Sequence, residues 1–496
     1  MIKKTNIFIV SLLFLSSLYY LYHSNYDLYF STKIILISVY SLISLTILFG
    51  IYKLKTNFHL PIFILTNIYF LTSYILLFFF EKGEIYPRFS EVEYSVGLTI
   101  FLYGYTAFYL GYLIISFVLK DFHRKGFKLL DVDNMELFMI GSFCLLANLF
   151  FYEILNINKF ISGLAQLRYP LISMGIGFLA TYLITDSKDR KSFINKFISV
   201  VLIFFTIFFF VFNGALAYPF MMLFIIYAYY CYTKKKFTII PFIIITILFL
   251  FFHLGKYHYR DTLKIKNEKT PTLFHKIKGL HSIQSQILFD TQKFIMRENC
   301  EYSILEDNSF QLNNEFIEEG VLRCKKVYNY RMERRLGHSI ESLLIVTSMT
   351  PKIVPYWDGY SYEILKSKII PRIFWKNKPQ DGLGNEFGRR YKILFDTNIT
   401  TSWNMPILNE FYVNYGKKGV IFGMFMIGLL FSLINKVFTI KRIKNTETII
   451  AFFIFVPMFF IESHASLIFG SIIQSYIFVM ILSFILLKII RKFTKV

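Results

Sequence analysis

The sequence predicts an all-α polytopic membrane protein with about twelve transmembrane helices. Three observations support this fold class: hydrophobic residues make up 55% of the 496 residues, charged residues make up 17%, and the mean hydropathy is +0.50. Soluble domains rarely combine so much apolar sequence with so little charge. The formal net charge is +22, and the charged residues lie between the apolar blocks. This distribution favours membrane lipid and anionic substrates as partners over nucleic acid.

The predicted spans are located by a hydropathy window of about 19 residues. The blocks at 170–184 and 449–461 are short, and either is a candidate for a re-entrant or broken helix. The first block is followed by no small-residue cleavage site, so we expect it to be a retained span. The blocks cover residues 7–22, 34–51, 60–80, 96–119, 135–154, 170–184, 197–212, 216–232, 237–254, 419–437, 449–461 and 467–487.

The distribution of Lys and Arg predicts the orientation of these spans, because cytoplasmic loops retain positive charge. With the N-terminus in the cytoplasm, every short cytoplasmic loop is basic, as in the run Lys234, Lys235 and Lys236. An even number of spans then places the C-terminus in the cytoplasm as well. The short outer connections hold few basic residues: Lys33, Lys82, Arg88, Lys159 and Arg168.

This topology divides the chain into an N-terminal bundle of about nine spans at 1–254, a large extracytoplasmic loop at 255–418, and a C-terminal bundle of about three spans at 419–496. A connection as long as 255–418 usually has structure and function of its own. Its first part, Lys256–Arg335, is charged and amphipathic, which predicts interfacial helices. Cys300 and Cys324 lie in this part, and both a disulfide and two free thiols remain open.

The second part of the loop concentrates cations between prolines and glycines. One interpretation is a site for a phosphorylated glycan, in which guanidinium groups bind phosphate oxygens and aromatic rings stack on sugars. The other is a basic surface lying on anionic lipid headgroups. The candidate binding residues are Arg372, Lys376, Lys378, Arg389, Arg390 and Lys392, with Trp375 and Tyr391 beside them.

Three titratable residues near the predicted outer face are candidates for proton transfer. Glu410 precedes the apolar block at 419–437, where a carboxylate is costly unless it is paired or hydrated. It is therefore an ion-pair partner of the arginines, a general base, or a helix-end charge facing water. Glu462 and His464 interrupt the last two spans. His464 is a candidate proton carrier or a hydrogen-bonding cap of a tight turn.

Motifs for other chemistries are absent from the sequence. It contains no Walker loop, no His-Glu-x-x-His zinc motif, no paired-cysteine zinc spacing and no nucleophile elbow. If this site transfers a glycosyl group, we expect it to use neither a metal nor another cofactor, with arginines stabilising the departing diphosphate.

Several elements within residues 335–470 resemble the Wzy-type polymerases of O-antigen and oligosaccharide repeat units. The most specific are Pro-Arg-x-x-Trp-x-x-Lys-Pro at 371–379 and Gly-Arg-Arg-Tyr at 388–391. Glu-Phe-Tyr-x-Asn-x-Gly at 410–416 and Glu-Ser-His at 462–464 fit the same pattern. Outside this region the resemblance extends only to hydropathy and span number.

The resemblance implies a GT-C-like membrane glycosyltransferase of the bacterial inner membrane. Such an enzyme joins repeat units carried on undecaprenyl diphosphate at the outer face, with inversion at the anomeric carbon, and can have a chain-length regulator as partner. It implies Glu410 as the base and Arg372, Lys378, Arg389 and Arg390 as diphosphate or glycan contacts. Lys376 departs from the family pattern, in which a more neutral residue is expected. Glu462 and His464 compete with Glu410 for the role of base. The further candidate substrate contacts are Arg335, His338, Trp375, Lys376 and Tyr391.

Two alternatives remain at this point. A ligase that transfers a finished glycan from the same lipid carrier to another acceptor would use the same arginines. A flippase for lipid-linked oligosaccharides would need charged residues spread through its spans to line a polar path. The apolar blocks here are almost free of Lys, Arg, Asp and Glu. This observation favours chemistry at the outer surface over transport.

Overall fold

A computed structural model describes most of the predicted spans and part of the large loop. Arg335, Arg372, Lys376 and Lys378 lie outside the described residues, as do the predicted interfacial helices with Cys300 and Cys324. The described residues are 30–54, 61–79, 89–119, 131–155, 167–185, 190–212, 217–234, 239–254, 337–368, 381–399, 401–438, 445–470 and 472–494, with the single residues 15, 19 and 375.

The described part of the chain is all-helical and contains no β-strand beyond one isolated bridge between Asp131 and Asn445. In the N-terminal half the helices are α1 Phe30–Leu54, α2 Ile62–Phe70, α3 Glu91–Val118, α4 Asn134–Asn148, α5 Arg168–Ile184, α6 Arg190–Phe212, α7 Ala217–Lys234 and α8 Ile239–Leu254. In the C-terminal half they are α9 His338–Met349, α10 Tyr360–Lys368, α11 Leu383–Arg390, α12 Ile407–Val437, α13 Thr446–Phe455, α14 Ala465–Phe469 and α15 Ile472–Thr494.

The membrane class of the fold is confirmed. Within the described residues, six helices are long and apolar enough to cross a bilayer. Each predicted block except 7–22, which lies almost wholly outside the described residues, contains a helix. The number of about twelve spans and the GT-C arrangement stay predictions. The six helices cover Phe30–Leu48, Glu91–Val118, Asn134–Ile154, Phe193–Val211, Ile407–Val437 and Ala465–Phe493.

The two blocks predicted to be irregular are short helices in the structure. Helix α5 has 17 residues. Helix α13 has 10 residues and passes into a 3₁₀ turn at Val456–Phe459, where Pro457 removes a backbone donor. The block at 449–461 is therefore a broken helix, and the chain then turns through residues 460–464.

Helices α3 and α4 begin at capping boxes that the local sequence encodes. Ser90 accepts a hydrogen bond from the Glu93 backbone N–H, and the Glu93 side chain accepts one from the Ser90 N–H at 2.6 Å. Asp133 and Glu136 repeat this exchange at 2.7 and 2.9 Å. Each box satisfies two backbone donors that the helix leaves unpaired.

Helices α3 and α12 pack closely because glycines line their interface. A Cβ added to Gly111 would lie 2.2 Å from the Phe425 carbonyl oxygen, and one added to Gly428 would lie 2.0 Å from that of Phe108. Only glycine allows the two backbones to approach this far, as in small-residue packing of membrane helices.

Helix α12 is broken near its start at Tyr415 and Gly416. Gly416 has φ +62° and ψ −150°, a conformation that residues with a side chain rarely adopt. After the break the chain folds back, so the Phe411 ring packs against Gly423. The break thus holds the short segment 407–414 against the long segment 417–437, and the segment 407–414 carries Glu410.

The chain forms two compact units. One comprises residues 1–181 and 336–496 and contains every described candidate site residue. The other comprises residues 182–335, where Val211 and Phe220 are buried together with Leu223, Ile245 and Phe252 packed against them.

Candidate functional site

Apart from Trp375, the described site residues lie on α12 and on four segments gathered around its start. These segments are the N-terminal end of α9, residues 357–368, the described residues of 381–404, and the turn at 460–466. Backbone hydrogen bonds fix two of them: Ile407 N–H donates to the Ile461 carbonyl at 3.2 Å, and Trp357 N–H donates to the Val413 carbonyl at 3.0 Å. Segments that are distant in sequence therefore converge at one end of a membrane helix.

A cleft of about 350 Å³ lies at the C-terminal end of α11. Three cations and two carboxylates line it, and two of the three cations are paired. Arg390 is ion-paired with Glu386, and Lys392 Nζ lies 2.9 Å from the Asp396 carboxylate. The cleft is lined by Glu386, Arg389, Arg390, Lys392 and Asp396.

Arg389 differs from the other two cations of this cleft. Its Nε donates to the Asn385 side-chain oxygen at 2.9 Å. Neither terminal guanidinium nitrogen has a hydrogen-bond partner among the described residues. Arg389 is thus anchored at Nε, and its two terminal nitrogens, the guanidinium fork, are left for the cleft. A guanidinium fork can bind two phosphate oxygens at once.

Arg390 is held by protein groups instead. Its guanidinium carbon lies 4.7 Å from the centre of the Trp357 ring and 5.6 Å from that of Tyr360, in addition to the ion pair with Glu386. Cation–π contacts of this kind stabilise the fold. The two adjacent arginines, both predicted as substrate contacts, therefore have different surroundings.

The loop after α11 holds the helix in place. Asn385 donates through Nδ2 to the carbonyls of Asn398 and Thr401 at 2.8 and 2.7 Å, and Trp403 N–H donates to the Gly384 carbonyl at 3.1 Å. Gly384 is required here because an added Cβ would lie 2.3 Å from Ser402 Oγ. The same Asn385 that anchors Arg389 thus ties α11 to Asn398 and Thr401.

Tyr391 is buried rather than exposed to the cleft. Its hydroxyl is hydrogen-bonded to Thr350 Oγ1 at 2.6 Å, and burial raises its pKa to about 12. Trp375, the only described residue of the segment 369–380, has 37% of its surface exposed. Of these two predicted aromatic contacts, only Trp375 is accessible.

Glu410 is fully buried and uses both carboxylate oxygens. Oε1 accepts from Ser361 Oγ and Oε2 accepts from the Ala465 backbone N–H, each at 2.6 Å. Asn414, one turn later, donates to Ser361 Oγ at 2.9 Å and accepts from the Gly359 N–H at 2.9 Å. Glu410 therefore neither faces water nor pairs with Arg389 or Arg390; it joins α12 to α10 and α14.

His464 forms a buried pair with an aspartate that the sequence analysis missed. His464 Nε2 lies 3.0 Å from Asp381 Oδ1, while Asp381 Oδ2 accepts from Ser466 Oγ at 2.5 Å and lies 3.2 Å from Lys368 Nζ. Burial acts to raise the pKa of Asp381, but the hydrogen bond and charge of His464, with Ser466 and Lys368, hold that pKa well below its ordinary value.

His464 caps the turn only through its backbone carbonyl, not through its side chain. Its carbonyl accepts from Leu467 and Ile468, whereas its side chain caps nothing and binds Asp381. Asp381 directly follows the cation-rich segment 369–380, three residues after Lys378. This position was the one sequence feature that marked it as a candidate site residue. Lys368 precedes that segment, and the contact between Lys368 and Asp381 therefore joins its two ends.

A second cluster surrounds Glu462. Asn404 Nδ2 donates to Glu462 Oε1 at 3.4 Å, and His338 Nδ1 lies 3.9 Å from the same oxygen. The His338 ring stacks on Trp403 with centroids 5.0 Å apart, and Trp403 Nε1 donates to Ser342 Oγ at 3.3 Å. This cluster joins His338, predicted as a substrate contact, to Glu462, predicted as a catalytic candidate.

No family model, curated protein or solved structure matches this chain. The described residues also include no group of three His, Cys, Asp or Glu side chains arranged to hold a metal ion. The described site consists of one anchored arginine at a cleft, and of three buried titratable groups on the segments around the start of α12.

Proposed function

We propose that this protein is an inverting membrane glycosyltransferase that joins undecaprenyl-diphosphate-linked repeat units into O-antigen or a related surface polysaccharide, as part of lipopolysaccharide biosynthesis at the bacterial inner membrane. The observation that carries the proposal is the Arg389 fork. It is anchored through Asn385 and open to a cleft that Arg390 and Lys392 also line. A diphosphate leaving group needs such a fixed cationic partner as negative charge develops on it.

Inverting transfer also needs a proton acceptor for the attacking hydroxyl. Glu410, Glu462 and His464 lie on the segments that meet around the start of α12, and each is a candidate. The leaving-group cations and the proton acceptors thus belong to one compact unit of the chain. Arg335, Arg372, Lys376, Lys378 and Trp375 are proposed as further glycan or diphosphate contacts.

The position of the cleft supports a substrate that is anchored in the membrane. The site segments surround the start of α12, a helix long and apolar enough to span a bilayer. The C-terminal end of α12 carries Lys436, and the positive-inside rule assigns that end to the cytoplasm. A chain-length regulator in the same membrane is the proposed protein partner.

Purified protein in nanodiscs, supplied with lipid-linked repeat units, tests the proposal. We expect a ladder of lipid-linked polymers, unchanged by a chelator and absent with Arg389→Ala. Transfer of a single glycan to a second lipid acceptor, without a ladder, would identify a ligase instead. Movement of intact donor across the bilayer without any new linkage would identify a flippase.

A further inference from the structure

Two of the three candidate proton acceptors are fixed by hydrogen bonds to neighbouring segments. Glu410 is fully buried, and both of its oxygens accept hydrogen bonds at 2.6 Å. His464 Nε2 is bound to Asp381 at 3.0 Å. Both residues therefore join segments around the start of α12.

The spacing of Glu462 and His338 suits a third group placed between them. Their facing atoms, Oε1 and Nδ1, are 3.9 Å apart, which is too long for a direct hydrogen bond. One hydroxyl oxygen can, however, lie about 2.8 Å from both atoms at once. Catalytic hydrogen bonds are often long before the substrate binds and shorten in the complex.

The surroundings of this pair suit a sugar. Trp403 is partly exposed and stacks on His338, and sugar-binding pockets combine aromatic faces with a few placed polar groups. Asn404 donates to the same Glu462 oxygen that faces His338. The cluster therefore offers an aromatic surface, a hydrogen-bond donor and a carboxylate within one small region.

Asn409 supplies an independent sign that a polar ligand enters here. It is fully buried, and its amide nitrogen contacts the carbonyl of Ser339, the residue after His338, at 3.5 Å. Its side-chain oxygen has no hydrogen-bond partner among the described residues. Buried acceptors are normally satisfied, so this one calls for a hydroxyl or a water molecule.

We propose that the acceptor sugar binds at Trp403 and that Glu462 is the catalytic residue that takes its proton, with His338 as the positioning residue. This inference rests on the proposed function. The acceptor hydroxyl oxygen bonds to the anomeric carbon of the donor as its proton moves to the Glu462 carboxylate. The bond from that carbon to the diphosphate oxygen breaks, and its electron pair leaves on the diphosphate. Glu410 then serves as the structural junction of α10, α12 and α14.

The test compares Glu462→Gln with Glu410→Gln in the nanodisc polymerisation assay. We expect Glu462→Gln to lower kcat about 10²-fold or more, with donor binding and thermal unfolding unchanged. Glu462→Asp should restore part of the rate, because it keeps a carboxylate at this position. Glu410→Gln should lower the unfolding temperature, because it weakens the junction of α10, α12 and α14.

Two further variants separate binding from chemistry. Trp403→Ala should raise KM for the acceptor several-fold without changing donor binding, and His338→Gln should shift the pH profile. Full activity of Glu462→Gln, or a folded but inactive Glu410→Gln beside an active Glu462→Gln, would overturn the assignment while leaving the polymerase proposal intact. Absence of polymer from the wild-type protein would overturn the polymerase proposal, and the assignment with it.

Discussion

Arg389 and Arg390 are adjacent in sequence but are held by different groups. The Arg390 guanidinium lies within cation–π distance of Trp357 and Tyr360 and is paired with Glu386. Arg389 is fixed only through its Nε by Asn385. From this difference we infer that Arg389 binds the substrate, whereas Arg390 mainly holds the aromatic loop at 357–360 against α11.

Alanine substitutions at the two positions should therefore have different effects. We expect Arg389→Ala to lower polymer formation about 10²-fold or more by removing transition-state stabilisation, with single lipid-linked repeats accumulating and the unfolding temperature unchanged. Arg389→Lys should rescue poorly, because an ammonium cannot form two parallel bonds to one phosphate. Arg390→Ala should lower the free energy of unfolding by about 1 kcal/mol. Gel analysis of the polymer and thermal unfolding measure the two effects.

Lys366→Ala is the matched control, since Lys366 is an exposed cation of α10. It should change neither the polymer nor the unfolding temperature. Normal polymer from Arg389→Ala would instead support the interpretation of this surface as a patch for anionic lipid headgroups.

The sequence identified the residue types of the site but not their partners. Glu410 was recognisable as a carboxylate at the start of an apolar block, yet its bonds to Ser361 and Ala465 join residues about 50 positions away. Asp381 was marked only by its position after the cation-rich segment, because its importance comes from contacts with Lys368 and His464. Such contacts depend on how the segments converge, which residue spacing does not reveal.

Close packing of α3 against α12 depends on small residues at defined positions. We expect Gly428→Ala to destabilise the protein by about 1–3 kcal/mol, because the new Cβ would meet the Phe108 carbonyl oxygen at 2.0 Å. Thermal unfolding in detergent measures the change. Gly382→Ala is the matched control, since a Cβ there meets nothing within 4 Å. Equal stability of the two variants would show that the helices separate at little cost.

Hydropathy located most helices but not the break in α12. The apolar block at 419–437 corresponds only to the segment after Gly416, because Asn409, Glu410 and Asn414 lower the hydropathy of the first segment. The short, broken helix at 446–459 was predictable, since Pro457 interrupts a block too short to span a bilayer. A proline that breaks a helix can be recognised in the sequence. A glycine that breaks a helix by adopting a positive φ cannot, because most glycines do not do so.

At the scale of the whole molecule, several contacts join loops that the charge pattern assigns to one face of the membrane. Arg491 near the end of α15 is paired with Glu136 at 2.5 Å and donates to the Asp131 carbonyl at 2.8 Å. Asp131 in turn forms a bridge with Asn445. These three segments all belong to the predicted cytoplasmic face. On the predicted outer side, Glu410 joins Ser361 and Ala465.

Cysteine labelling assigns the two groups of loops to their compartments. We expect cysteines placed at Lys235 and Lys441 to react with a membrane-impermeant maleimide only after spheroplasts are permeabilised, because the positive-inside rule puts both in the cytoplasm. Cysteines at Asn308 and Gly382 should react in intact spheroplasts. Gly382 reports on neighbouring Gly384 and the Arg389 cleft, and its open surroundings accept a side chain. Labelling of Gly382→Cys only after permeabilisation would place the cleft in the cytoplasm, where it could not meet repeat units presented at the outer face.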